Sequence, residues 1–316
     1  MSHLKTSLLA AIVAVSTSGA FALDLTEEMR PTEEVAPLSI NVGCGNLKKA
    51  NCTEVVPRIS VQLQPYNVGF EGAKSEGSVQ SVIAVCSGKV QAAVAQLDAV
   101  IQVQGNGKVP CPTGINIVGP GLYPYYVRVI VAANSPYKSF SGLLGGKAIR
   151  ISAGKKGSGG NVILENYFRA DPDNRDKFTV DFSSVDEATG KLMSGQLDAI
   201  LIADGPVSEE VNILSTKKDD QGKSAFRTIN FDPPRSFFGA RSLDGRSPLY
   251  RWAKIIVPGW FSNNIDTVQV NAVFVMGAKF YRDNEKRLDG LDAGIVNALA
   301  GIREAVHAPA GWKPTE

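Results

Sequence analysis

The sequence predicts an α/β chain of two lobes, each a mostly parallel sheet flanked by helices, with a cleft between them. Three observations lead there. Apolar or alternating runs of strand length alternate with stretches of helical spacing along most of the chain, the pattern of parallel sheets. Two helix–strand units read alike. Ser87-Gly88-Lys89-Val90-Gln91-Ala92 and Ser194-Gly195-Gln196-Leu197-Asp198-Ala199 each lead into an apolar strand, and each follows a helix that begins near a Ser-Val pair, Ser78-Val79 and Ser184-Val185. Finally, Ala148–Phe168 (AIRISAGKKGSGGNVILENYF) reads as strand, glycine-rich turn and helix.

That third stretch organises the chain. Free N–H groups at a helix start, with the positive end of the helix dipole, form an anion cradle. Gly157 and Gly159 allow close approach, Ser158 adds a hydroxyl, and Lys155 and Lys156 add positive charge. A plain surface turn between two core elements is the simpler alternative. The run lacks the Gly-Lys-Ser/Thr ending and GxGxxG, so a carboxylate fits it better than a nucleotide phosphate. Ligands of parallel sheets sit beyond the carboxyl ends of strands. Each lobe would thus offer a helix start to a shared cleft, Ser78 from one and Ser158 from the other.

The composition narrows the class. The chain has 316 residues, 44% of them hydrophobic, and a formal net charge of +2, so a sizeable core is available and bulk nucleic-acid binding is not expected. Lys5, the apolar run Leu8–Val15 and Ala20-Phe21-Ala22 read as a cleavable signal peptide over residues 1–22. That run is too short for a bilayer, and no later stretch suits a membrane helix, so no direct membrane insertion is expected. Four cysteines in an exported chain favour disulfides. Of the three connectivities, Cys44–Cys52 with Cys86–Cys111 closes two local loops and is the expectation. Metal ligation is the rival. However, there is no CxxC pair, and His307 is the only histidine past the signal, so neither a metal nor another cofactor is expected.

In chain order, residues 23–37 form a loose acidic leader and Leu38–Val42 a buried strand. Ile59–Gln64 alternates apolar and polar residues and is read as a strand; Tyr66–Gly77, with three glycines, is read as a loop. Ser78 is the expected N-cap of a helix whose apolar face is Val79, Val82, Ile83 and Cys86, ended by Ser87-Gly88. Val90–Ala95 is a strand leading to Gln96 and Asp98. Ile115–Val118 and Val127–Ala132 are strands. The aromatic run Leu122–Tyr126 between them suits either core or ligand contact. Ser135-Pro136 opens a short helix to Leu144. Thr179–Phe182 is a strand, Asp186–Ser194 a helix with Ala188, Leu192 and Met193 inward, and Leu197–Ile202 a strand. Lys217–Lys223 is a charged loop, and Pro258-Gly259-Trp260-Phe261 a turn bearing an aromatic side chain. Thr267–Met276 suits a strand crossing between lobes, and Asn284–Val306 reads as helices. The expected division is residues 38–133 plus 266–316 for the first lobe and 134–265 for the second. Arg128 and Arg150 are candidate charge partners, with surface placement the simpler reading for each.

The ordered motifs resemble one family. They are Glu76-Gly77-Ser78-Val79, Val94-Ala95-Gln96-Leu97-Asp98, Leu122-Tyr123-Pro124, Tyr137-Lys138-Ser139-Phe140, Gly157-Ser158-Gly159, Glu187-Ala188 with Gly195-Gln196-Leu197-Asp198-Ala199, and Gly205-Pro206. Together they are similar to the TAXI solute receptors, the TRAP-associated extracytoplasmic immunogenic proteins, which are type II periplasmic binding proteins. The resemblance implies a periplasmic receptor that captures a small solute, often a carboxylate or amino acid, by lobe closure and delivers it to membrane permease subunits of a tripartite TRAP-type transporter. It implies ligand contacts at Gly77, Ser78, Val79, Gln96, Tyr123, Gly157, Ser158 and Gly159, with Trp260 where the family often has an aromatic residue. Two departures, Gly43-Cys44-Gly45-Asn46 in the first loop and Ser81 in place of the usual Asn, point to a different or shifted pocket. An exported sensor or scaffold subunit that recruits a protein partner is the alternative reading. A hydrolase is disfavoured by the absence of GxSxG and of a histidine placed to serve as base.

Overall fold

The computed structural model describes residues 36–105, 111–145, 148–257 and 264–307. In chain order its elements are β1 (Leu38–Gly45), α1 (Val56–Leu63), β2 (Val68–Lys74), α2 (Ser78–Cys86), β3 (Ala92–Gln96), α3 (Leu97–Gly105), β4 (Ile115–Val118), β5 (Pro124–Ala132) and α4 (Phe140–Leu143). There follow β6 (Ile149–Ser152), α5 (Gly159–Ala170), β7 (Phe178–Asp181), α6 (Val185–Met193), β8 (Ala199–Asp204), α7 (Glu209–Thr216), β9 (Phe226–Ile229), β10 (Arg251–Ile256) and β11 (Asn264–Gly277). The final helices are α8 (Ala278–Asp283), α9 (Glu285–Leu288) and α10 (Leu291–His307).

The strands join in one 11-stranded sheet whose main path is β2-β1-β3-β11-β5-β8-β6-β7. It contains the same motif twice. β1 pairs in parallel with β2 and β3, and β6 pairs in parallel with β7 and β8. In both triads the first strand is central and the third faces the middle of the sheet. The middle is antiparallel: β11 pairs with β3 through Ala272–Met276 and with β5 through Gln269–Asn271, and β5 pairs with β8. The expected crossing strand is therefore present. The expected parallel character holds within each triad and gives way to antiparallel pairing where β11 and β5 join them.

The internal likeness extends to hydrogen bonds. Gly88 and Gly195 take left-handed φ values of 72° and 70° and end α2 and α6. Val90 N–H then donates to Ala84 O at 3.2 Å, and Leu197 N–H to Lys191 O at 3.1 Å. One residue after Val90, Gln91 N–H donates to Asn41 O, and one after Leu197, Asp198 N–H donates to Arg150 O, so each turn is docked on its central strand.

Several expectations are corrected. Ile59–Gln64 is not a strand, for Ile59 to Leu63 are the last residues of α1. Val55, Ile59 and Leu63 recur every fourth residue and are fully buried, whereas Val61 is 55% exposed; Pro57 sits in the first turn, where its missing N–H costs nothing. Most of the Tyr66–Gly77 run is the edge strand β2. Its glycine at 72 is explained by packing, since a Cβ there would lie 3.1 Å from Cys44 Sγ. The helix after Ser135-Pro136 starts only at Phe140, capped by Ser139, whose hydroxyl accepts from Gly142 N–H. Met193 faces outward, 56% exposed, while Ala188 and Leu192 are buried. The signal, the leader up to Val35 and Trp260 lie outside the described residues, among which no helix is long and apolar enough to cross a membrane.

Both disulfides form as expected, Cys44–Cys52 and Cys86–Cys111. The first ties the end of β1 to the helical turn Asn51–Val55, and the second ties the end of α2 to the segment before β4.

The helix at 56–63 has a direct test. Leu63→Ala is expected to lower unfolding stability by about 3 kcal/mol, and Val61→Lys to change it by less than about 0.5 kcal/mol. Were the run a strand with Ile59, Val61 and Leu63 on one buried face, both would be costly in chemical denaturation.

Candidate functional site

The starts of α2 and α5 touch. Gly77 precedes α2 at φ 144°, and Val79 N–H donates to Gly157 O at 3.2 Å. A Cβ on Gly77 would lie 3.0 Å from both Gly157 O and Ser158 Cα, and one on Gly157 3.2 Å from Val79 Cβ. Glycine is therefore what allows the two segments to meet. Ser78 is not the N-cap, a position held by Gly77; its hydroxyl instead accepts the backbone N–H of Gln96 at 3.2 Å. Ser158 does cap α5, accepting from Asn161 N–H and donating to Ala153 O at 2.9 Å. Gly157 N–H donates to Asn161 Oδ1 at 2.9 Å. The Ser158 hydroxyl is thus spent on the scaffold, whereas Ser78, which only accepts, keeps its O–H as a donor beside the backbone N–H groups of the first turns.

These turns border a cavity of about 610 Å³ lined by Gly77, Ser78, Gln96, Ser158 and Gly159 among the expected residues. Gln96, the last residue of β3, is 1% exposed. Its side chain lies against Gly159, where a Cβ would sit 1.7 Å from Oε1. Its Nε2 is buried without a hydrogen-bond partner. An unpaired buried donor carries a desolvation cost of about 1–3 kcal/mol, so an acceptor brought into the cavity gains from meeting it. Val79 and Gly157 form the contact behind this surface rather than the cavity lining. Tyr123 lies elsewhere. It is buried, stacks on Tyr125 with ring centroids 5.5 Å apart and donates to Asn51 Oδ1. With Asn51, Tyr125 and Asp204 it lines a second cavity of about 220 Å³.

The opposite wall contains Lys49, Asn51, Asp204 and Glu210, which the sequence reading missed, and Tyr125 from the aromatic run read as core or ligand contact. Lys49 Nζ lies 3.3 Å from Asp204 Oδ2 and 2.9 Å from Glu210 Oε1. Burial alone would lower this ammonium, but the two carboxylates outweigh it and hold Lys49 above its ordinary range. Burial, together with the charge of Asp204, pushes the Glu210 carboxyl up against the attraction of Lys49. One signal could have found Asp204: it ends β8 as Gln96 ends β3, at the carboxyl ends where parallel sheets bind ligands. Lys155 reaches the cavity rim and pairs with Glu76 at 3.7 Å.

Arg150 is at the surface, paired with Asp198 at 2.7 Å. Arg128, against the surface reading, is 3% exposed and donates to the carbonyls of Asp204, Gly205 and Pro206. It thereby holds the segment after β8 in place. Burial lowers its guanidinium to about 10.

Behind the cavity, Asp98 in the first turn of α3 is 1% exposed. It accepts from Tyr250 OH at 2.9 Å and Ala99 N–H at 2.8 Å, and Asn166 of α5 donates to Tyr250 OH at 2.6 Å. Burial pushes the Asp98 carboxyl up to about 7.

Two predictions follow from these contacts. A Cβ on Gly160 would meet Leu201 O at 2.5 Å and Ala153 O at 2.8 Å. Both are backbone atoms, so Gly160→Ala should cost about 2 kcal/mol of stability in thermal or urea unfolding. For Asp98, the unfolded chain releases its proton around the ordinary value of 3.8, whereas the folded protein keeps it up to about 7. Stability from this group is full at low pH and falls as pH rises through that window. Urea unfolding across the window should show a flatter pH dependence for Asp98→Asn than for the parent.

A family model described as NMT1-like matches residues 54–274, well over half of the chain. Among solved structures, the periplasmic aliphatic sulphonate binding protein SsuA from Escherichia coli superposes with a TM-score of 0.50 at 14% identity, over 87% of this chain and 81% of that one. A binding protein component of an ABC phosphonate transporter from Pseudomonas aeruginosa gives a TM-score of 0.50 at 12% identity, over 88% of this chain and 82% of that one. At such identities the likeness is one of fold, the α/β fold of periplasmic binding proteins. No curated protein sequence matches the chain at a significant level. The match over residues 54–274 shows that the chain belongs to the NMT1-like family.

Proposed function

We propose that this chain is an exported receptor that binds a small solute carrying an acceptor-rich, anionic group in the cavity between its two strand triads. The observation that carries this reading is the Gln96 carboxamide. It is a buried, unpartnered donor on the cavity wall, beside Gly159 at the start of α5 and near Gly77 and Ser78 at the start of α2. A carboxylate placed there would accept from Nε2 and from first-turn N–H groups of both helices, with both dipoles favouring its charge. The two triads, taken as lobes 38–133 plus 266–316 and 134–265, would close on the solute because it gains contacts from both only when they meet.

The finer assignment rests on the resemblance to TAXI receptors: residence in the periplasm after signal cleavage, and delivery of the solute to the permease subunits of a TRAP-type transporter. The two solved neighbours are binding proteins for a sulphonate and for a phosphonate transporter of ABC type, so the partner class is the part of this proposal that needs its own test. Gly77, Ser78, Gln96, Ser158 and Gly159 are the proposed ligand-contact residues, and Val79 and Gly157 are proposed to hold the two helix starts together.

The test is calorimetry on protein freed of co-purified solute by unfolding and refolding, against a panel of carboxylates and amino acids. Binding of at least one carboxylate is expected. Gln96→Leu should weaken it about tenfold or more while leaving the melting temperature unchanged or raised, because the variant removes an unpaired buried amide. Absence of binding by any solute in the refolded protein would overturn the receptor reading.

A further inference from the structure

Lys49 stands where the ammonium group of an amino solute would be received. Its Nζ lies 3.3 Å from Asp204 and 2.9 Å from Glu210, two carboxylates on the cavity wall. The lysine is not a loose surface side chain. Lys49 N–H donates to Asn46 O at 2.9 Å, and Lys49 O accepts from Cys52 N–H at 2.9 Å and Thr53 N–H at 3.1 Å. The Cys44–Cys52 disulfide closes this short loop onto the end of β1. Asp204 is already served by three donors: Gly205 N–H at 2.9 Å, Ser208 OH at 3.1 Å and Lys49.

We infer that Lys49 is a specificity-determining residue: it occupies the cation position of the cavity, so that the site accepts carboxylate solutes lacking a cationic group and disfavours the matching amino acids. This inference rests on the receptor reading above and deepens it. A solute ammonium entering this wall must either displace an ammonium tethered to the same loop, which acts at high effective concentration, or settle beside a second positive charge. The groups facing Lys49 leave little charge for a second cation. The Lys49 ammonium already contacts both Asp204 and Glu210, so a second cation would have to share these carboxylates with it. On the other side, the unpaired Gln96 Nε2 and the two helix starts ask for an acceptor. A 2-oxo or 2-hydroxy acid satisfies both walls. The corresponding amino acid satisfies only the wall of Gln96 and the helix starts.

The experiment compares solutes of one carbon skeleton, a 2-oxo acid, the 2-hydroxy acid and the amino acid, by calorimetry on ligand-free protein. The parent protein should bind the oxo or hydroxy acid about tenfold or more tightly than the amino acid, and Lys49→Met should reverse the order. Glu210→Gln, which keeps the shape but removes one carboxylate, should widen the preference for the oxo acid, and it serves as the second variant if Lys49→Met does not fold. A parent protein that prefers the amino acid overturns the inference. So does a Lys49→Met protein with an unchanged order, or a preference that narrows in Glu210→Gln. Failure of the parent to bind any solute is a different result, counting against the receptor reading itself.

Discussion

Two helix starts pressed together are electrostatically awkward. Each carries the positive end of a dipole, and α2 and α5 bring these ends close enough for Val79 N–H to donate to Gly157 O. The arrangement depends on the missing side chains of Gly77 and Gly157, since a Cβ on either would crowd the other segment. Ser158 directs its hydroxyl onto its own turn, donating to Ala153 O, while Ser78 on the cavity lining accepts from Gln96 N–H. On this side the cavity is bordered by the two helix starts, with the unpaired Gln96 amide beside them. Under the proposed function, a negative, acceptor-rich guest would complete this surface, because donors that are already oriented lose no freedom when it arrives.

The sheet makes that meeting of helix starts repeatable. In each triad the central strand and the strand facing the middle of the sheet run parallel, so the carboxyl ends of β1, β3, β6 and β8 carry the cavity-lining segments. β11 pairs with β3 in one triad's direction and with β5, the neighbour of β8, in the other. One long strand therefore shares its backbone with both halves. Asp98, Tyr250 and Asn166 add a buried polar link from α3 to α5 behind the cavity. A link of this kind holds best when every member is paired, and here Asp98 and Tyr250 each have two partners.

The far wall has a different logic. Lys49 belongs to the disulfide-closed loop after β1, while Asp204 and Glu210 belong to the end of β8 and the start of α7. The ion pair thus spans the cavity from one triad to the other. Such a pair contributes little net stability once the desolvation of its members is counted. Its proposed consequence is chemical: on the inference drawn above, it sets which charges a guest can bring. Of the aromatic run read as core or ligand contact, Tyr123 is engaged with Asn51 and Tyr125 and lines the second cavity, while Tyr125, which accepts from Asn51, lines both cavities.

Local signals carried much of this protein. The glycine turn with its serine cap at 158, the repeated Ser-Gly helix ends at 87–88 and 194–195, the crossing strand and both disulfides could be read from neighbours in the chain, because each depends on backbone conformation or loop closure over a few residues. Residues 59–64 could not, since their apolar side chains satisfy a period of two and a period of four alike, and only burial against the rest of the molecule chose the helix. Lys49, Asp204 and Glu210 show the same limit at the site. No local pattern marks a lysine in one loop and two acids more than 150 positions further on as partners. Their pairing exists only after the sheet has brought the carboxyl ends of β1 and β8 to one cavity, where low polarity makes opposite charges seek each other. Sequence determined where helix starts and strand ends would lie; tertiary structure decided which of them face one another and, through that, what the cavity can hold.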